Sequence, residues 1–84
     1  MFYVYVLISL NDNGLYIGCT NNLRDRVRAH NAGRVNSTRK RLPVRLIYYE
    51  ASLNKEDAFH REKYLKTTYG RRYVKSRLSG YFTG

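Results

Sequence analysis

Two runs of strand-forming residues, separated by a short polar segment, open the sequence. The first, Phe2–Leu10, reads FYVYVLISL, and the second, Leu15–Cys19, reads LYIGC. Both are dense in β-branched and aromatic side chains, which favour β-strands. The Asn13-Gly14 pair between them tolerates the positive φ angles of a tight turn. The chain is therefore predicted to begin with a β-hairpin, which commits it to a fold that contains a sheet.

Signals for a helix and a third strand follow the hairpin. A capping residue within Thr20–Asn22 predicts a first helix that runs to about Asn31 and stops at Gly33. Pro43 then precedes Val44–Ala51, which reads VRLIYYEA and predicts a third strand.

Two more helices are predicted in the remaining residues. Asn54, with Asp57 three residues later, resembles a capping box for a helix over about Lys55–Thr68. Gly70 follows that helix, and a shorter helix is predicted around Tyr73–Leu78. The order β-β-α-β-α-α predicts an α+β domain in which helices flank a small, three-stranded, mostly antiparallel sheet.

The length and charge of the chain bound what it can do. Its 84 residues leave room for one domain, residues 1–84, and not for separate binding and catalytic modules. An apolar content of 43% is too high for a disordered basic tail. The net charge of +10, from 16 basic against 6 acidic residues, predicts attraction to a polyanion, and nucleic acid is the first candidate.

Membrane proteins and disulfide-stabilised proteins are classes that the sequence does not fit. No run approaches the ~20 apolar residues that span a bilayer, and the first residues lack a basic leader and a cleavage site. A basic amphipathic helix for an anionic membrane surface is also missing. Cys19 is the only cysteine, which excludes an intramolecular disulfide and leaves too few thiolates for structural zinc. A cytoplasmic protein is the expectation.

One carboxylate interrupts the apolar pattern of the second predicted helix. At 3.6 residues per turn, Ala58, Leu65 and Tyr69 form the apolar stripe of that helix. Glu62 lies on the same stripe. Because an unpaired buried charge is costly, Glu62 is expected to pair with a cation, to coordinate a metal, or to lie at the edge of an opening.

The first helix carries an arginine and a histidine beside its apolar face. Leu23, Val27 and His30 share that face, and Arg26 is a neighbour of His30 one turn away. The donor fork of arginine suits a phosphoryl transition state, although a solvated surface position is the alternative in so basic a chain. His30 is a catalytic candidate, as a general base or a phosphate contact, or else a residue that caps helix carbonyls.

Basic residues outside the first helix are candidates for nucleic-acid binding. The predicted contacts are Arg39, Lys40, Arg41, Arg45, Lys66, Arg71 and Arg72. These cations could bind the phosphates of a strand while tyrosines stack on its bases. The alternative for the run Thr38–Arg41 is a solvated loop with no ligand.

Several of these residues belong to an ordered set of short motifs. The motifs are Tyr3–Tyr5 (YVY), Tyr16–Gly18 (YIG), Arg26–His30 (RVRAH) and Arg61–Lys66 (REKYLK). Over nearly the whole chain this set resembles the GIY-YIG nuclease superfamily in its small, stand-alone bacterial form. Tyr3 stands at the position of the first glycine of the motif, and an asparagine that longer members carry near the end of the domain has no clear counterpart. The resemblance implies the GIY-YIG fold.

The resemblance also implies roles for individual residues. Tyr5 and Tyr16 would line the active site, Arg26 would stabilise the transition state, and Glu62 would bind a divalent metal, Mg²⁺ or Mn²⁺. Tyr16 would activate the attacking water. One carboxylate is sufficient for Mg²⁺, which also takes waters and phosphate oxygens as ligands. A phenol with a pKa near ~10 needs nearby cations to act as a base, and the metal and Arg26 could supply them.

Two classes of function remain open at this point. The first is an endonuclease that acts on branched, nicked or flapped DNA in repair or recombination, with a protein partner that supplies specificity. The second is a nucleic-acid-binding module, for DNA or RNA, that keeps the fold and the basic charge with little or no turnover. Both should bind more weakly in salt, and only the first requires Glu62 and a metal.

Overall fold

The computed structural model describes all 84 residues and contains three strands and four helices. In chain order these are β1 (Phe2–Ser9), β2 (Leu15–Thr20), α1 (Leu23–Asn31), β3 (Val44–Ser52), α2 (Lys55–Leu65), α3 (Thr68–Arg77) and α4 (Ser79–Thr83). This order confirms the predicted β-β-α-β-α-α arrangement and adds the short helix α4. No helix is both long enough and apolar enough to cross a membrane.

β1 is the central strand of the sheet and pairs with β2 on one side and β3 on the other. Both pairings are antiparallel, so the sheet is antiparallel throughout. The central position accounts for the long apolar run in β1, because all of Val4–Ser9 is buried. A β-bulge at Ile47 interrupts the pairing of β3, and both Ile47 and Tyr48 pack towards the core beneath α2 and α3.

Two apolar clusters cover the two faces of the sheet. The first joins the sheet to α2 and α3 and contains Val4, Val6, Ile17, Ala58, Leu65 and Val74. The second contains Tyr5, Leu7 and Val44, with Leu23 and Val27 of α1 packed against them. The predicted apolar face of α1 is thus confirmed. Helix α1 covers one face of the sheet, and α2 and α3 cover the other. β2 is an edge strand, so residues from both sides of the sheet can come close to each other there.

The turn between β1 and β2 is wider than the predicted tight turn. Five residues, Leu10–Gly14, separate the strands, and Asn13 is the only non-glycine residue with a positive φ, at 62°. The hydroxyl of Ser9 accepts the backbone N–H groups of Asn11 and Asp12 at 3.1 and 3.2 Å. These local bonds satisfy the backbone in a longer loop, as serine commonly does near turns.

Helix α2 ends at Leu65, three residues earlier than predicted. The cause is Thr67, whose hydroxyl donates to the carbonyl of Tyr64 at 2.6 Å and accepts the N–H of Gly70 at 3.1 Å. Thr67 therefore caps a new helix, α3, and Gly70 lies inside that helix instead of after α2.

The early end of α2 changes the predicted apolar stripe. Ala58 and Leu65 are buried, as predicted. Tyr69 belongs to α3 and is 70% exposed, so its predicted place on the stripe is wrong. Asn22 and Asn54 are the capping residues of α1 and α2, and both accept backbone N–H groups of the first turn.

Candidate active site

The register of the hairpin places Tyr5 of β1 directly opposite Gly18 of β2. The phenol of Tyr5 lies across this glycine so closely that a Cβ at position 18 would be 2.5 Å from the Tyr5 hydroxyl oxygen. Any larger residue would push against the Tyr5 ring, which its hydrogen bond to His30 holds in place. The glycine of the YIG motif is thus required by a side chain of the neighbouring strand.

The hydroxyl of Tyr5 begins a buried chain of hydrogen bonds. It lies 2.8 Å from Nε2 of His30, whose Nδ1 lies 2.7 Å from the hydroxyl of Thr38. All three side chains are buried, with no more than 1% exposed. The chain joins β1, the end of α1 and the loop that follows it, so it fixes the position of α1 against the sheet.

The imidazole of His30 is held in its neutral form. Burial, and to a smaller extent the charge of Arg26, lower the pKa of His30 to about 4. The Nε atom of Arg26 donates to the Tyr5 oxygen at 3.4 Å, which leaves the Tyr5 O–H free to donate to Nε2 of His30. Nδ1–H of His30 then donates to Thr38, and every group in the chain is satisfied.

His30 does not have the predicted contact with substrate. Both of its ring nitrogens are bonded to buried hydroxyls, so neither can reach a phosphate, and neither caps a helix carbonyl. Tyr5 is equally buried and lies beneath the site instead of facing the solvent. Both side chains therefore belong to the buried chain of hydrogen bonds and not to the exposed surface. Thr38, which sequence reasoning counted as part of a basic run, is the third member of the chain, and no local pattern marks it.

Arg26 and Tyr16 are the parts of this cluster that solvent reaches. The Tyr16 ring packs edge-on against His30, with 5.0 Å between ring centroids, and both Tyr16 and Arg26 are half-buried. The hydrogen bond with Tyr5, and a smaller effect of Tyr16, raise the pKa of Arg26 above its usual range. A permanently charged guanidinium therefore lies beside the Tyr16 phenol.

Arg26 also lines a groove at the end of β2, to which α1 and α2 both contribute residues. Cys19 belongs to β2 in this groove, and Lys55 and Phe59 belong to α2. The groove has a volume of about 320 Å³. Residues from both faces of the sheet thus border one opening at the edge strand.

Glu62 lies on α2, the helix that packs against β1 and β2. Its side chain is 21% exposed, and Lys66 binds it at 3.1 Å. Burial and then the Glu62 carboxylate raise the pKa of the Cys19 thiol. Burial also raises the pKa of Tyr5. The charges of Tyr16 and Glu62 raise it further by smaller amounts, and Arg26 lowers it. The carboxylate therefore acts electrostatically on residues of both strands of the hairpin. Glu62 was expected to pair with a cation, to coordinate a metal or to lie at an opening, and the structure shows the pair with a cation.

The remaining residues that were predicted to bind nucleic acid differ in exposure and in whether they have an acidic partner. Five have exposed side chains and no acidic partner: Arg39, Lys40, Arg45, Arg71 and Arg72. Arg41 is half-buried and pairs with Asp12 at 3.4 Å, while its carbonyl accepts the Ser9 hydroxyl at 2.6 Å. Arg41 is therefore at least partly a structural residue of the hairpin loop.

The donor set around Glu62 limits the kind of metal that would fit. No cluster of three or more His, Cys, Asp or Glu side chains exists in the chain. Such a set cannot enclose zinc, whose protein sites use three or four of these ligands. It fits Mg²⁺, which is commonly held by one or two carboxylates and completes its shell with waters and substrate oxygens.

A neutral, buried His30 makes the fold sensitive to acid. The unfolded chain binds a proton near pH 6.5 and the folded chain only near pH 4, so the contribution of His30 to stability is full above pH 6.5 and is lost as the pH falls towards 4. We expect the free energy of unfolding of the wild type to fall by about 3 kcal/mol relative to that of His30→Gln across this range, measured by urea denaturation. Exposed His60 is the control, and His60→Gln should follow the wild type. Parallel curves for the wild type and His30→Gln would contradict the expectation.

Comparison with known proteins agrees with this arrangement. A family model described as GIY-YIG catalytic domain matches residues 1–78. A UPF0213 protein of Clostridium perfringens is 49% identical over 67 residues, which are 79% of this chain and 71% of that protein. A UPF0213 protein of Bacillus licheniformis is 46% identical over 65 residues, 76% of this chain and 66% of that protein.

A solved structure supports the fold. The solution NMR structure of a UPF0213 protein from Bacillus halodurans aligns with 90% of this chain and 84% of its own, at a TM-score of 0.55 and 31% identity. The predicted resemblance and the predicted α+β fold are thus confirmed. The chain belongs to the GIY-YIG catalytic-domain family, a nuclease superfamily.

Proposed function

We propose that this protein is a metal-dependent endonuclease that hydrolyses phosphodiester bonds in DNA and selects branched, nicked or flapped structures in repair or recombination. The observation that carries the proposal is the convergence at the edge of β2. There a fixed guanidinium, Arg26, and a phenol, Tyr16, are supported from beneath by the buried pair Tyr5 and His30, near the carboxylate of Glu62.

Arg26 has the geometry of an electrostatic catalyst. Its bond to Tyr5 fixes the guanidinium before substrate arrives, so no free energy is spent on orienting it during the reaction. The remaining N–H groups are available to the phosphate oxygens, on which negative charge accumulates in the transition state. His30 and Thr38 serve this function indirectly because they hold Tyr5 in place.

Tyr16 has the position of the general base. In its phenolate form it would take a proton from water as the water oxygen attacks phosphorus, the P–O bond to the leaving oxygen breaks, and that oxygen takes a proton from solvent. Arg26 lies beside it and stays charged, so a cation is present where the proton leaves the water. Glu62 would hold Mg²⁺ or Mn²⁺, which when bound supplies Lewis-acid stabilisation of the phosphate. Lys66 would have to release Glu62 for the metal to bind.

The test of the proposal is cleavage of labelled single-stranded, duplex, flap and four-way-junction DNA with Mg²⁺, Mn²⁺ or EDTA. Cleavage with either metal and none in EDTA is the expected result. Binding without cleavage of any substrate would overturn the nuclease and leave the binding module, for DNA or RNA. A protein partner that supplies specificity would appear as a substrate preference gained only on its addition.

We expect Arg26→Ala to lower the rate of cleavage by about 100-fold or more, because a fixed donor to a developing oxyanion contributes about that factor. Arg28→Ala is the matched control, since Arg28 is an exposed residue of the same helix without a bond to Tyr5. It should weaken binding slightly through lost charge and leave the single-turnover rate at saturation unchanged. Equal losses in both variants would show that Arg26 contributes only charge.

A further inference from the structure

A second groove lies between the turn of the hairpin and the last two helices. Its volume is about 750 Å³, within the range of ~300–1,000 Å³ typical of sites for small molecules. Ile8 and Leu15, paired across β1 and β2, form part of its wall. Because Leu15 precedes Tyr16 on the edge strand, the groove begins beside the candidate active site but opens on the other face of the sheet.

The rim of this groove is positively charged. Arg71 and Lys75, one turn apart on α3, both line it, and both are exposed and outside the three ion pairs of the protein. From Lys63 to Gly84 the chain contains six basic residues and no acidic one. Asp12, the nearest acidic residue along the hairpin, is already paired with Arg41. An anion in this groove would therefore meet two free cations and no free carboxylate.

Two aromatic rings of α4 line the same groove as the cations. Tyr81 and Phe82 are 45% and 38% exposed and pack edge-to-face with 5.3 Å between their centroids. In such a pair each ring covers at most one face of the other, and both rings are partly exposed, so a face remains on which a base could stack. Two aromatic residues in succession, exposed to solvent on a five-residue helix, are not accounted for by either apolar cluster.

We propose that this groove binds one unpaired nucleotide of a single-stranded DNA segment, with the base stacked on Tyr81 or Phe82 and the phosphates bound by Arg71 and Lys75. A base inside a duplex is already stacked and cannot reach the rings, so the groove selects unpaired strands. This proposal shares one assumption with the proposed function, which is that the protein binds nucleic acid. It assigns to the protein itself a means of favouring flaps and single-stranded regions over continuous duplex.

The test is equilibrium binding in EDTA, where cleavage plays no part. Fluorescence anisotropy compares oligothymidylate with an abasic deoxyribose-phosphate oligomer of the same length and charge, and with duplex DNA. We expect the wild type to prefer oligothymidylate over the abasic oligomer about tenfold, since base–aromatic stacking contributes that much or more. Tyr81→Ala/Phe82→Ala should remove this preference and leave duplex affinity unchanged.

Control variants separate stacking from charge and from damage to the fold. Tyr64→Ala removes a ring that is 43% exposed but lies outside the groove, and should behave as the wild type. Arg71→Ala/Lys75→Ala should weaken binding to both oligomers and reduce the slope of log affinity against log salt by about 1.4, two contacts at ~0.7 each. Thermal unfolding confirms that each variant is folded.

Three results would overturn the inference. A preference for oligothymidylate that survives in Tyr81→Ala/Phe82→Ala would place the stacking elsewhere. A wild type that binds both oligomers equally would exclude a base site altogether. A preference for oligouridylate over oligothymidylate that the same variant removes would assign the groove to RNA instead. None of these results depends on cleavage. The nuclease proposal can therefore be wrong while the groove binds a base, and the groove proposal can be wrong while the protein cleaves DNA.

Discussion

Replacing Glu62 with glutamine is expected to lower metal-dependent cleavage by about a thousandfold and to leave the fold intact. The amide keeps the size of the side chain and removes the charge that a hard cation requires. The loss corresponds to about 4 kcal/mol of transition-state stabilisation, in the range of several kcal/mol that a catalytic metal supplies. The folded state should tolerate the change, because the ion pair with Lys66 is an i,i+4 pair on the surface and contributes at most about 0.5 kcal/mol.

Glu56→Gln is the matched control for this variant. Glu56 lies in the first turn of the same helix and is exposed, so its replacement changes the net charge identically and touches nothing at the edge of β2. Single-turnover cleavage, with Mn²⁺ binding followed by electron paramagnetic resonance, separates loss of metal from loss of chemistry. Unchanged cleavage in Glu62→Gln, or an equal loss in Glu56→Gln, would remove Glu62 from the mechanism.

Replacing Gly70 with alanine is expected to destabilise the protein by about 3 kcal/mol or more. Gly70 lies where α3 crosses the end of α2, and an added Cβ would overlap the carbonyl oxygen of Tyr64 and the Cα of Leu65. These are backbone atoms, so relief requires the two helices to separate. Leu65 and Val74 would then leave the core that they share. Overpacking of this kind typically costs about 1–3 kcal/mol, and more where backbone must move.

Gly80→Ala provides the control within the same C-terminal region. A Cβ at Gly80 would meet nothing within 4 Å, and alanine is the better helix former. That variant should therefore be as stable as the wild type or more stable by up to about 1 kcal/mol. Urea denaturation gives both free energies of unfolding. A loss of less than about 1 kcal/mol in Gly70→Ala would mean that α2 and α3 pack less tightly than the structure indicates.

The strands and helices were largely predictable because their signals are local. Dense β-branched and aromatic residues mark β1–β3, and capping residues mark the starts of α1 and α2. The errors occurred where a residue outside the periodic pattern intervened. Thr67 turned the predicted end of α2 into the start of α3, and Ser9 widened the hairpin loop.

The candidate site residues could be named from the sequence, but their surroundings could not. The motifs identified Arg26, Tyr16 and Glu62 as candidates, and the structure places Arg26 beside Tyr5 and Tyr16, with Glu62 on helix α2. Periodicity could not show that His30 is sealed from solvent, since its two partners are 25 and 8 residues away along the chain. Nor could it explain the glycine of the YIG motif, whose constraint comes from a tyrosine on another strand.

The sequence by itself therefore determined most of the secondary structure, the positive net charge and the family, because propensity, net charge and motif order are all properties of the linear chain. Only the tertiary structure decided which titratable groups are buried, which cations have no acidic partner, and which aromatic rings line a groove. Burial and pairing depend on residues brought together from distant positions. For that reason only the structure shows that His30 and Tyr5 are bonded to each other in the interior, that Lys66 pairs with Glu62, and that a groove lies beside α4.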